Sequence, residues 1–299
     1  MISSRHPTAT TDPAAAGLQP AGDGRMWYDR RFRPSLWRSG LTGFDAVMGS
    51  ASGRCLRVLK DRENWHLKLS DPPQQAHGAY LKKHHVRTWR SRLGAMLGIR
   101  QAETAGRIEA QNVRALKAAG IEVMDLMAYG ERIHADGLLE SFVLTEELQQ
   151  FEPLEQFLRG QFGPSPSHLC MRHDRDRDRD RLIRRLARIV RRFHAAGYNH
   201  RDLYCCHFFI KEPVPGEFQI KLIDLQRVQL RRRFRRRWLV KDLAQLAWSV
   251  PRNRVRCTQR LAFMRHYLGV PKLRPADKRL IRKVLAKQRL MQRKLGVAE

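Results

Sequence analysis

Four charged residues occur in an order and in settings that suit phosphoryl transfer. Lys82 lies in the strand-like stretch GAYLKKH, and Glu109 lies within the helical stretch that follows. Asp202 ends the tripeptide His-Arg-Asp, and Asp224 follows the apolar pair Leu-Ile. Phosphoryl transfer needs a cation on the nucleotide phosphates, an acid that holds it, a carboxylate at the acceptor hydroxyl and a carboxylate on the metal ion. The tripeptide alone is weak evidence in so Arg-rich a chain, but the ordered series indicates a phosphotransferase site.

Each of these residues also has a purely structural interpretation. Lys82 adjoins Lys83, and either could be an ordinary solvated strand lysine. Glu109 could be a surface acid paired with a basic residue one helical turn away. Asp202 and Asp224 are harder to explain in this way, because a carboxylate among apolar residues is costly without a purpose.

Short strands and one helix must position the lysine and the glutamate. From Arg54 onward the stretches CLRVL, WHLKL and GAYLKKH alternate with polar turns and predict a three-stranded meander. Good helix formers over Ala105–Ala119, followed by Gly120, predict a helix with a glycine cap. Further strands are predicted at IEVMDLMAYGE and LLESFVLTEEL.

The second half of the chain has a helical character. After the loop Gly160–His168 and the run HDRDRDRDRDR, apolar residues at helical spacing predict a helix with one buried face. The alternating charges are typical of a solvated helix face, so we assign them no chemistry. The stretches HFFI and QIKLID, separated by a Pro/Gly turn, predict a hairpin, and helices are predicted from Lys241 onward.

These elements predict an α+β fold of two lobes. We expect a disordered tail over residues 1–24, a small β-rich lobe with one helix over 25–148, and a larger helical lobe over 149–299. The tail lacks the apolar run of a signal peptide. No stretch approaches the roughly 20 apolar residues of a membrane-spanning helix.

The composition indicates a polyanionic partner and a reducing compartment. The 299 residues carry a formal net charge of +29, which suits nucleic acid, an anionic membrane surface or a phosphorylated substrate.

The five cysteines are odd in number and irregular in spacing, which favours reduced thiols in a cytoplasm. Cys205, Cys206 and His207 lack a second ligand pair at the spacing of a zinc site.

Several stretches resemble the lipopolysaccharide core kinases, the family of Kdo and heptose kinases that is distantly related to protein kinases. They are AAGYNHRDLYCCHFFI, LIDLQRVQLRRRFRRRWLVKDL, SFVLTEEL and YLKKH, and the likeness runs from Phe44 to the helices beyond Asp242. It includes His207, where protein kinases carry a catalytic-loop Asn. The resemblance implies a protein-kinase-like bilobal fold, ATP and Mg²⁺ as cofactors, and a heptose or Kdo of the lipopolysaccharide inner core as acceptor.

The resemblance also implies a role for each candidate residue. Asp202 would accept or orient the proton of the sugar hydroxyl, and Asp224 would bind Mg²⁺. Lys82 would contact the phosphates and pair with Glu109. His207 would take a second metal position or act as a hydrogen bonder, and the oxygen preference of Mg²⁺ makes the aspartate the main ligand. The turn KDREN has no glycine, so nucleotide contacts there must differ from those of a Gly-rich loop.

A run of arginines follows the second aspartate and has three interpretations. Arg231, Arg233, Arg235 and Arg236 could belong to a solvated basic loop, to a nucleic-acid patch, or to a clamp for core carboxylates and phosphates. Arginine forks match such oxygens bidentately, which slightly favours the clamp. The basic segment Lys278–Lys294 could lie on an anionic inner leaflet or pack against the large lobe.

Two other classes of function stay open at this point. A protein kinase or an antibiotic phosphotransferase would share the fold, but Asp224 does not begin a DFG motif and no APE-like anchor precedes Asp242. A nucleic-acid-binding protein or a catalytically silent scaffold has only the charge in its favour. We therefore expect an ATP-dependent sugar kinase in the cytoplasm, with peripheral contact to the inner-membrane face as an option. The sequence does not predict the oligomeric state.

Overall fold

A computed structural model of the chain describes residues 17–70, 77–87, 103–134, 136–161, 169–231, 233, 235–251 and 254–295. These residues form two compact units. Unit 1 comprises the chain up to Arg114 together with Asp125–Glu147, and unit 2 comprises Ala115–Met124 together with the chain from Leu148. Unit 1 is rich in strands and unit 2 in helices, which confirms the predicted α+β class. Residues 1–16 of the predicted tail and 162–168 of the predicted loop lie outside the described residues.

Unit 1 is built on a seven-stranded antiparallel sheet. Its strands are β1 (Gln19–Pro20), β2 (Met26–Tyr28), β3 (Arg54–Leu59), β4 (Arg62–Lys68), β5 (Gly78–Arg87), β6 (Leu126–Ile133) and β7 (Leu138–Glu146). They pair in the order β1-β2-β6-β7-β5-β4-β3, which confirms the predicted meander as β3-β4-β5. The accompanying helices are α1 (Arg33–Arg38), α2 (Phe44–Gly49) and α3 (Ala105–Ala118).

One hydrophobic core fills unit 1 between the sheet and the two short helices. Leu36 of α1, Phe44 of α2, Leu81 of β5 and Phe142 of β7 are fully buried, and the rings of the two phenylalanines are 5.8 Å apart. Burial of each such side chain contributes about 1.5–3 kcal/mol. The core therefore fixes which face of β5 carries Leu81, and the alternation of a strand directs Lys82 to the opposite face.

Residues 17–24 are ordered in the structure, so the predicted disordered tail does not extend to residue 24. Gln19 and Pro20 pair with β2, and the N–H of Ala21 donates to the carbonyl of Met26 at 2.8 Å. Gly24 closes the turn at a φ of 66°, which glycine adopts without strain. The hairpin is held by backbone hydrogen bonds, which any residue type can form. The composition of the segment therefore does not predict its strands.

Helix α3 packs closely on β7 and ends as the sequence predicts. It stops at Ala118, and Gly120 takes a φ of 69°. A Cβ atom on Gly106 would lie 2.8 Å from the carbonyl oxygen of Phe142, so only glycine permits this approach. The close packing brings Glu109 against the sheet.

Residues 115–124 group with unit 2, although the predicted first lobe runs to residue 148. The N–H of Leu222 donates to the carbonyl of Glu122 at 3.0 Å, and Arg192 donates to the carbonyl of Gly120 at 2.8 Å. These long-range hydrogen bonds tie the turn after α3 to the helical unit. Sequence spacing does not reveal such a grouping.

The imidazole of His84 is buried in the sheet and is kept neutral. Its exposed fraction is 2%. Burial, together with the charges of Lys82, Arg62 and His85, lowers its pKa from 6.5 to about 4. Below the unfolded pKa, the unfolded state binds a proton that the folded state does not. The stability that neutral His84 supplies is therefore complete above pH 6.5 and is lost as the pH falls to about 4.

We expect His84 to account for a loss of about 3 kcal/mol in the free energy of unfolding on acidification through that window. Denaturant unfolding at several pH values should show this loss in the wild type. His84→Gln should remove that part of the pH dependence, whereas His77→Gln, at the half-buried residue directly before β5, should retain it. Equal pH slopes in the wild type and in His84→Gln would contradict the expectation.

Unit 2 contains helices and two small sheets. Its helices are α4 (Leu154–Gln161), α5 (Leu169–Ala195), α6 (Arg235–Ser249), α7 (Cys257–Leu268) and α8 (Pro275–Leu295). Its strands are β8 (Glu152–Pro153), β9 (Tyr198–Asn199), β10 (Phe208–Val214), β11 (Glu217–Leu222) and β12 (Gln229–Leu230). β10 pairs with β11 as the predicted hairpin and with β8 on its other side, and β9 pairs with β12. Helix α5 packs against α7, and α6 packs against α8.

Helix α5 confirms the predicted amphipathic helix and includes the alternating Asp-Arg run. Leu182, Leu186, Val190 and Phe193 recur at helical spacing and are buried. Their burial supplies the tertiary packing that holds a helix of this length on the unit. The helix ends just before the turn that leads into the His-Arg-Asp tripeptide.

The arginine run is only partly a loop. This corrects its interpretation as a solvated basic loop. Helix α6 begins at Arg235, so the last three arginines of the run, Arg235–Arg237, form its first turn. Arg232 and Phe234 lie outside the described residues. The run is therefore part loop and part helix.

Candidate active site

In unit 1, Lys82 and Glu109 form an ion pair. Nζ of the lysine lies 2.8 Å from Oε1 of the glutamate, and the side chains are 21% and 0% exposed. A buried carboxylate is costly unless it is paired, so Glu109 is not the surface acid of the alternative interpretation. The pair fixes an ammonium group on this face of the sheet, which is the arrangement needed to place a cation on nucleotide phosphates.

Lys83 points to the opposite face and has a structural role there. Its Nζ donates to the carbonyls of Met48 and Ser50 at 2.9 and 2.6 Å, and it lies 5.2 Å from the ring centroid of Trp65. Burial lowers the pKa of this lysine. A cation beside the last carbonyls of a helix, here α2, is electrostatically favourable. Neither lysine is therefore an ordinary solvated strand residue.

In unit 2, the backbone just before Asp202 is strained. Arg201 has a φ of 72°. A non-glycine residue adopts this left-handed conformation at a cost of about 1–3 kcal/mol. Its N–H donates to Oδ1 of Asp242 at 2.9 Å, and its carbonyl accepts from Nζ of Lys241 at 2.6 Å. Two charged residues of α6 thus hold both sides of the strained residue and orient the aspartate that follows.

Asp242 is the centre of a buried hydrogen-bond network. Its fully buried carboxylate accepts from the N–H groups of His200 and Arg201, and its Oδ2 lies 3.3 Å from Nε2 of His194. The other ring nitrogen of His194 lies 2.9 Å from the hydroxyl of Tyr267, whose pKa is raised by burial. A satisfied buried network of this kind is rigid. It connects α5, α6 and α7 to the backbone that carries the His-Arg-Asp tripeptide.

Helix α6 supports the rest of this loop from the same face. Oε1 of Gln245 accepts from the N–H of Leu203 at 3.4 Å, and Oγ of Ser249 accepts from the N–H of Cys205 at 2.7 Å. Positions 242, 245 and 249 are three and four residues apart, so they lie on one side of the helix. Three polar side chains of α6 therefore satisfy buried N–H groups of the loop that contains Asp202.

Asp224 also has a left-handed backbone conformation, with φ 56° and ψ 59°. The preceding residue, Ile223, is fixed on both sides. Its N–H donates to the carbonyl of His207 at 3.0 Å, and its carbonyl lies 3.1 Å from Nε2 of His200. A carbonyl only accepts, so this Nε2 carries the proton, and burial and the neighbouring His207 lower the pKa of the His200 ring to about 4.

His207 lies between the two aspartates. Its Nδ1 lies 2.7 Å from the carbonyl oxygen of Asp202, and its Nε2 lies 3.7 Å from Oδ2 of Asp224. The carbonyl fixes the proton on Nδ1, so in the neutral ring the Nε2 lone pair faces the Asp224 carboxylate. The His207 Nε2 lone pair and the Asp224 carboxylate, which face each other, could together bind a cation. Within the described residues, no group of three or more His, Cys, Asp or Glu is placed to hold a metal ion.

Asp202 forms an ion pair that the sequence does not predict. Its Oδ2 lies 2.6 Å from Nη1 of Arg227, the third residue after Asp224, and the two side chains are 17% and 52% exposed. Burial lowers the pKa of the nearby Lys241, and the charge of Asp202 partly offsets this effect. The carboxylate is therefore accompanied by two cations.

The structure separates the four predicted substrate arginines into two pairs. The guanidinium of Arg231 lies 4.4 Å from the ring centroid of Trp238, and Arg235 donates to a backbone carbonyl of α5. Arg233 and Arg236 are exposed. The first pair has structural contacts, so the clamp hypothesis narrows to the second pair.

Sequence reasoning missed five residues of this site, namely Arg227, Lys241, Asp242, Gln245 and Ser249. For the residues of α6 a signal exists, because polar residues recur at helical spacing on a helix whose neighbouring leucines belong to the core. For the arginine no signal exists, since one more arginine does not stand out in this chain.

This chain is similar to several known proteins. The model of the lipopolysaccharide kinase (Kdo/WaaP) family matches residues 54–267. The lipopolysaccharide core heptose(I) kinase WaaP of Escherichia coli is 32% identical over 242 residues, which cover 79% of this chain and 85% of that protein. WaaP of Pseudomonas aeruginosa is 32% identical over 240 residues, which cover 79% and 84%. The solved structure of WaaP in complex with acyl carrier protein is similar with a TM-score of 0.64 and 29% identity, and the match covers 93% of this chain and 97% of that one.

Proposed function

Because this chain belongs to the lipopolysaccharide kinase (Kdo/WaaP) family, we propose that it transfers the γ-phosphoryl group of ATP to a hydroxyl of an inner-core heptose. Kinase activity on the lipopolysaccharide core follows from the family. The choice of heptose over Kdo is supported by the relatives, which are heptose(I) kinases. The observation that best supports the proposal is the arrangement of Asp202 and Asp224 around His207. The readings as a protein kinase, an antibiotic phosphotransferase or a nucleic-acid-binding protein have no comparable support.

In this proposal Asp202 is the general base. Its carboxylate accepts the proton of the acceptor hydroxyl as the hydroxyl oxygen attacks the γ-phosphorus. Lys82, held by Glu109, contacts the nucleotide phosphates. Asp224 would be the main ligand of a divalent cation such as Mg²⁺, and His207 would be a second one; the cation would supply positive charge that offsets the charge of the phosphates.

The choice of sugar is tested by two acceptors in one assay. One is a core oligosaccharide whose heptoses lack phosphate, and the other is a truncated core that ends at Kdo. With ATP as donor, kcat/KM should be much higher for the heptose-containing acceptor. Equal or preferential phosphorylation of the truncated core would contradict the assignment to heptose and would favour Kdo.

The exposed arginines are expected to bind the anionic acceptor. Exchanging Arg233 and Arg236 together for Gln should raise the KM for the acceptor and flatten its dependence on ionic strength, while the KM for ATP changes little. Exposed charge contacts weaken as the Debye length falls from about 10 Å at 0.1 M salt to about 3 Å at 1 M. Steady-state kinetics at several salt concentrations measure the effect.

The matched control for this test is Arg231→Gln with Arg235→Gln. It removes the same charge from residues with structural contacts, so it should lower thermal stability and leave the acceptor KM nearly unchanged. A nucleic-acid retention assay runs alongside. An unchanged acceptor KM together with lost nucleic-acid retention in Arg233→Gln with Arg236→Gln would favour the nucleic-acid patch over the clamp.

A partner protein is proposed from a cavity in unit 2. Helices α5, α6, α7 and α8 line an apolar cavity of about 310 Å³, and each contributes residues such as Leu182, Leu246, Met264 and Val284. Pockets of about 300–1,000 Å³ with mostly apolar walls are typical ligand sites. The similar solved structure is that of WaaP in complex with acyl carrier protein. We therefore propose that this chain binds an acyl carrier protein and takes the acyl chain into the cavity.

Thermal unfolding tests this partner. Acyl carrier protein loaded with a long saturated acyl chain should raise the unfolding midpoint of this protein, and the unloaded carrier should not. Ala247→Phe, which fills the cavity, should abolish the difference, whereas Ala286→Phe on the exposed side of α8 should preserve it. Equal stabilisation by loaded and unloaded carrier would show that the cavity does not take the acyl chain.

We also propose peripheral contact with an anionic membrane surface through α8. Within the part of the chain that the structure describes, no helix is long and apolar enough to cross a membrane. Helix α8 exposes Leu290 among many lysines and arginines, a composition typical of helices that lie on anionic lipid. Co-sedimentation with anionic vesicles should exceed that with zwitterionic vesicles and should fall in Leu290→Glu. Absence of binding to anionic vesicles would contradict the contact.

A further inference from the structure

The ion pair between Arg227 and Asp202 is not explained by stability. The two residues approach from different loops of unit 2 to within 2.6 Å, and the arginine side chain is 52% exposed. Ion pairs with an exposed partner contribute only about 0–1 kcal/mol. A chemical explanation is therefore needed for an arginine that contacts the carboxylate assigned as general base.

Phosphoryl transfer brings two negative charges together at this place. Asp202 carries one, and the transferred group spreads charge over its peripheral oxygens. Two unit charges 4 Å apart repel each other by about 4 kcal/mol at an effective dielectric constant of 20. A cation that meets both anions removes this cost. Lys241 is close to Asp202, but its Nζ already donates to the strained carbonyl of Arg201 at 2.6 Å.

Arg227 has the geometry to meet both anions. Its planar guanidinium carries five N–H donors, so one edge can stay on the carboxylate while another binds phosphoryl oxygens. The residue ends a 3-10 turn, Leu225–Arg227, that begins directly after the left-handed Asp224. Leu225 is fully buried, so the base of this turn is anchored while the guanidinium reaches solvent.

We propose that Arg227 is a catalytic residue that binds the phosphoryl group during its transfer and at the same time holds Asp202 in place. The inference rests on the proposed function. The acceptor oxygen attacks the γ-phosphorus and forms the new O–P bond, while the bond from the γ-phosphorus to the bridging oxygen breaks and ADP leaves with its electron pair. The proton of the hydroxyl passes to Asp202. Arg227 donates hydrogen bonds to the phosphoryl oxygens throughout and exchanges no proton.

The test compares Arg227→Gln and Arg227→Lys with the wild type. An arginine that stabilises a phosphoryl-transfer transition state contributes about 10³–10⁵ in kcat, so we expect a fall of at least about 100-fold in both variants, with a KM for ATP within about threefold of wild type. The lysine variant keeps the charge but loses the fork. Arg30→Gln, an exposed arginine on unit 1, is the control and should leave kcat unchanged.

A binding measurement separates catalysis from positioning. ADP with aluminium fluoride mimics the phosphoryl group in transfer, and its affinity should fall in Arg227→Gln by a factor similar to that for kcat. The affinity for ADP alone should stay the same, and unchanged thermal midpoints should show that the variants are folded. A residue that only holds Asp202 would not alter the affinity for the mimic.

Two results overturn the proposal. One is turnover of Arg227→Gln within about threefold of wild type. The other is lost turnover with unchanged affinity for ADP and aluminium fluoride, which would make Arg227 a positioning residue. A different result would contradict the proposed function and not the role of Arg227: a wild-type protein that binds ATP but phosphorylates no core acceptor. In that case the affinity for ADP with aluminium fluoride alone decides the role of Arg227.

Discussion

Asp202→Ala is expected to lower kcat by about 10²–10⁴-fold, the range typical of a lost general base, while the Kd for ATP changes little. The carboxylate serves the acceptor hydroxyl, so its removal leaves the nucleotide contacts intact. The loss of its ion pair with Arg227 should cost little stability, because that arginine is largely exposed. Single-turnover transfer to the core acceptor and equilibrium binding of ATP measure the two effects separately.

The matched control is Asp178→Asn on α5. This aspartate also pairs with an arginine, Arg181, at 3.2 Å, and it belongs to the run to which we assign no chemistry. The control should retain wild-type turnover. Turnover of Asp202→Ala close to that of the control would disprove the role of Asp202 as general base.

Asp242→Ala is expected to have the largest effect on stability. The fully buried carboxylate accepts from the N–H groups of His200 and Arg201 and contacts His194. Its removal leaves buried donors without an acceptor and releases the strained residue before Asp202. We expect a loss of about 3–5 kcal/mol in the free energy of unfolding, a large part of the 5–15 kcal/mol that holds a typical protein.

Two further variants make this prediction specific. Tyr267→Phe removes one hydroxyl at the far end of the same network and should cost only about 1 kcal/mol. Asp242→Asn keeps the size of the side chain and one acceptor oxygen, so it should be the more stable of the two Asp242 variants. Its turnover can therefore be measured, and we expect a low kcat. Denaturant unfolding gives the stabilities. A cost for Asp242→Ala no larger than that for Tyr267→Phe would contradict the central place of the carboxylate.

The strand meander and the ordered charges could be predicted because local sequence carries them. The stretches CLRVL and WHLKL alternate in the manner of strands, and Gly120 marks the end of α3. The turn between them is shorter than the sequence indicates, because Arg62, Glu63 and Asn64 already belong to β4. Of the two adjacent lysines, Lys82 is the one that forms the ion pair with Glu109. The sequence did not show that Lys83 is buried on the other face, because that follows from the packing of α2 against the sheet.

The residues that hold the loop of Asp202 could not be predicted, because they reach that loop only through tertiary contacts. Asp242 lies 40 residues beyond Asp202 in the chain and meets its loop only in the folded unit, where it accepts from the N–H of Arg201 at 2.9 Å. The left-handed conformation of Arg201 is likewise not visible in the sequence, since nothing in this residue type favours it. Aspartate adopts that conformation more often than most residues, but few aspartates do so, and the residue type alone does not identify Asp224. Arg227 is one of many arginines, and only its distance to the carboxylate identifies it.

One measurement tests the central claim most directly. The protein is incubated with ATP labelled at the γ-phosphoryl group and with core oligosaccharide whose heptoses lack phosphate, and tandem mass spectrometry locates the label. We predict one labelled phosphoryl group on a heptose with the wild type and, after the same short incubation, at least about 100-fold less label with Asp202→Ala. A folded wild-type protein that binds ATP and leaves every heptose unlabelled would contradict the account.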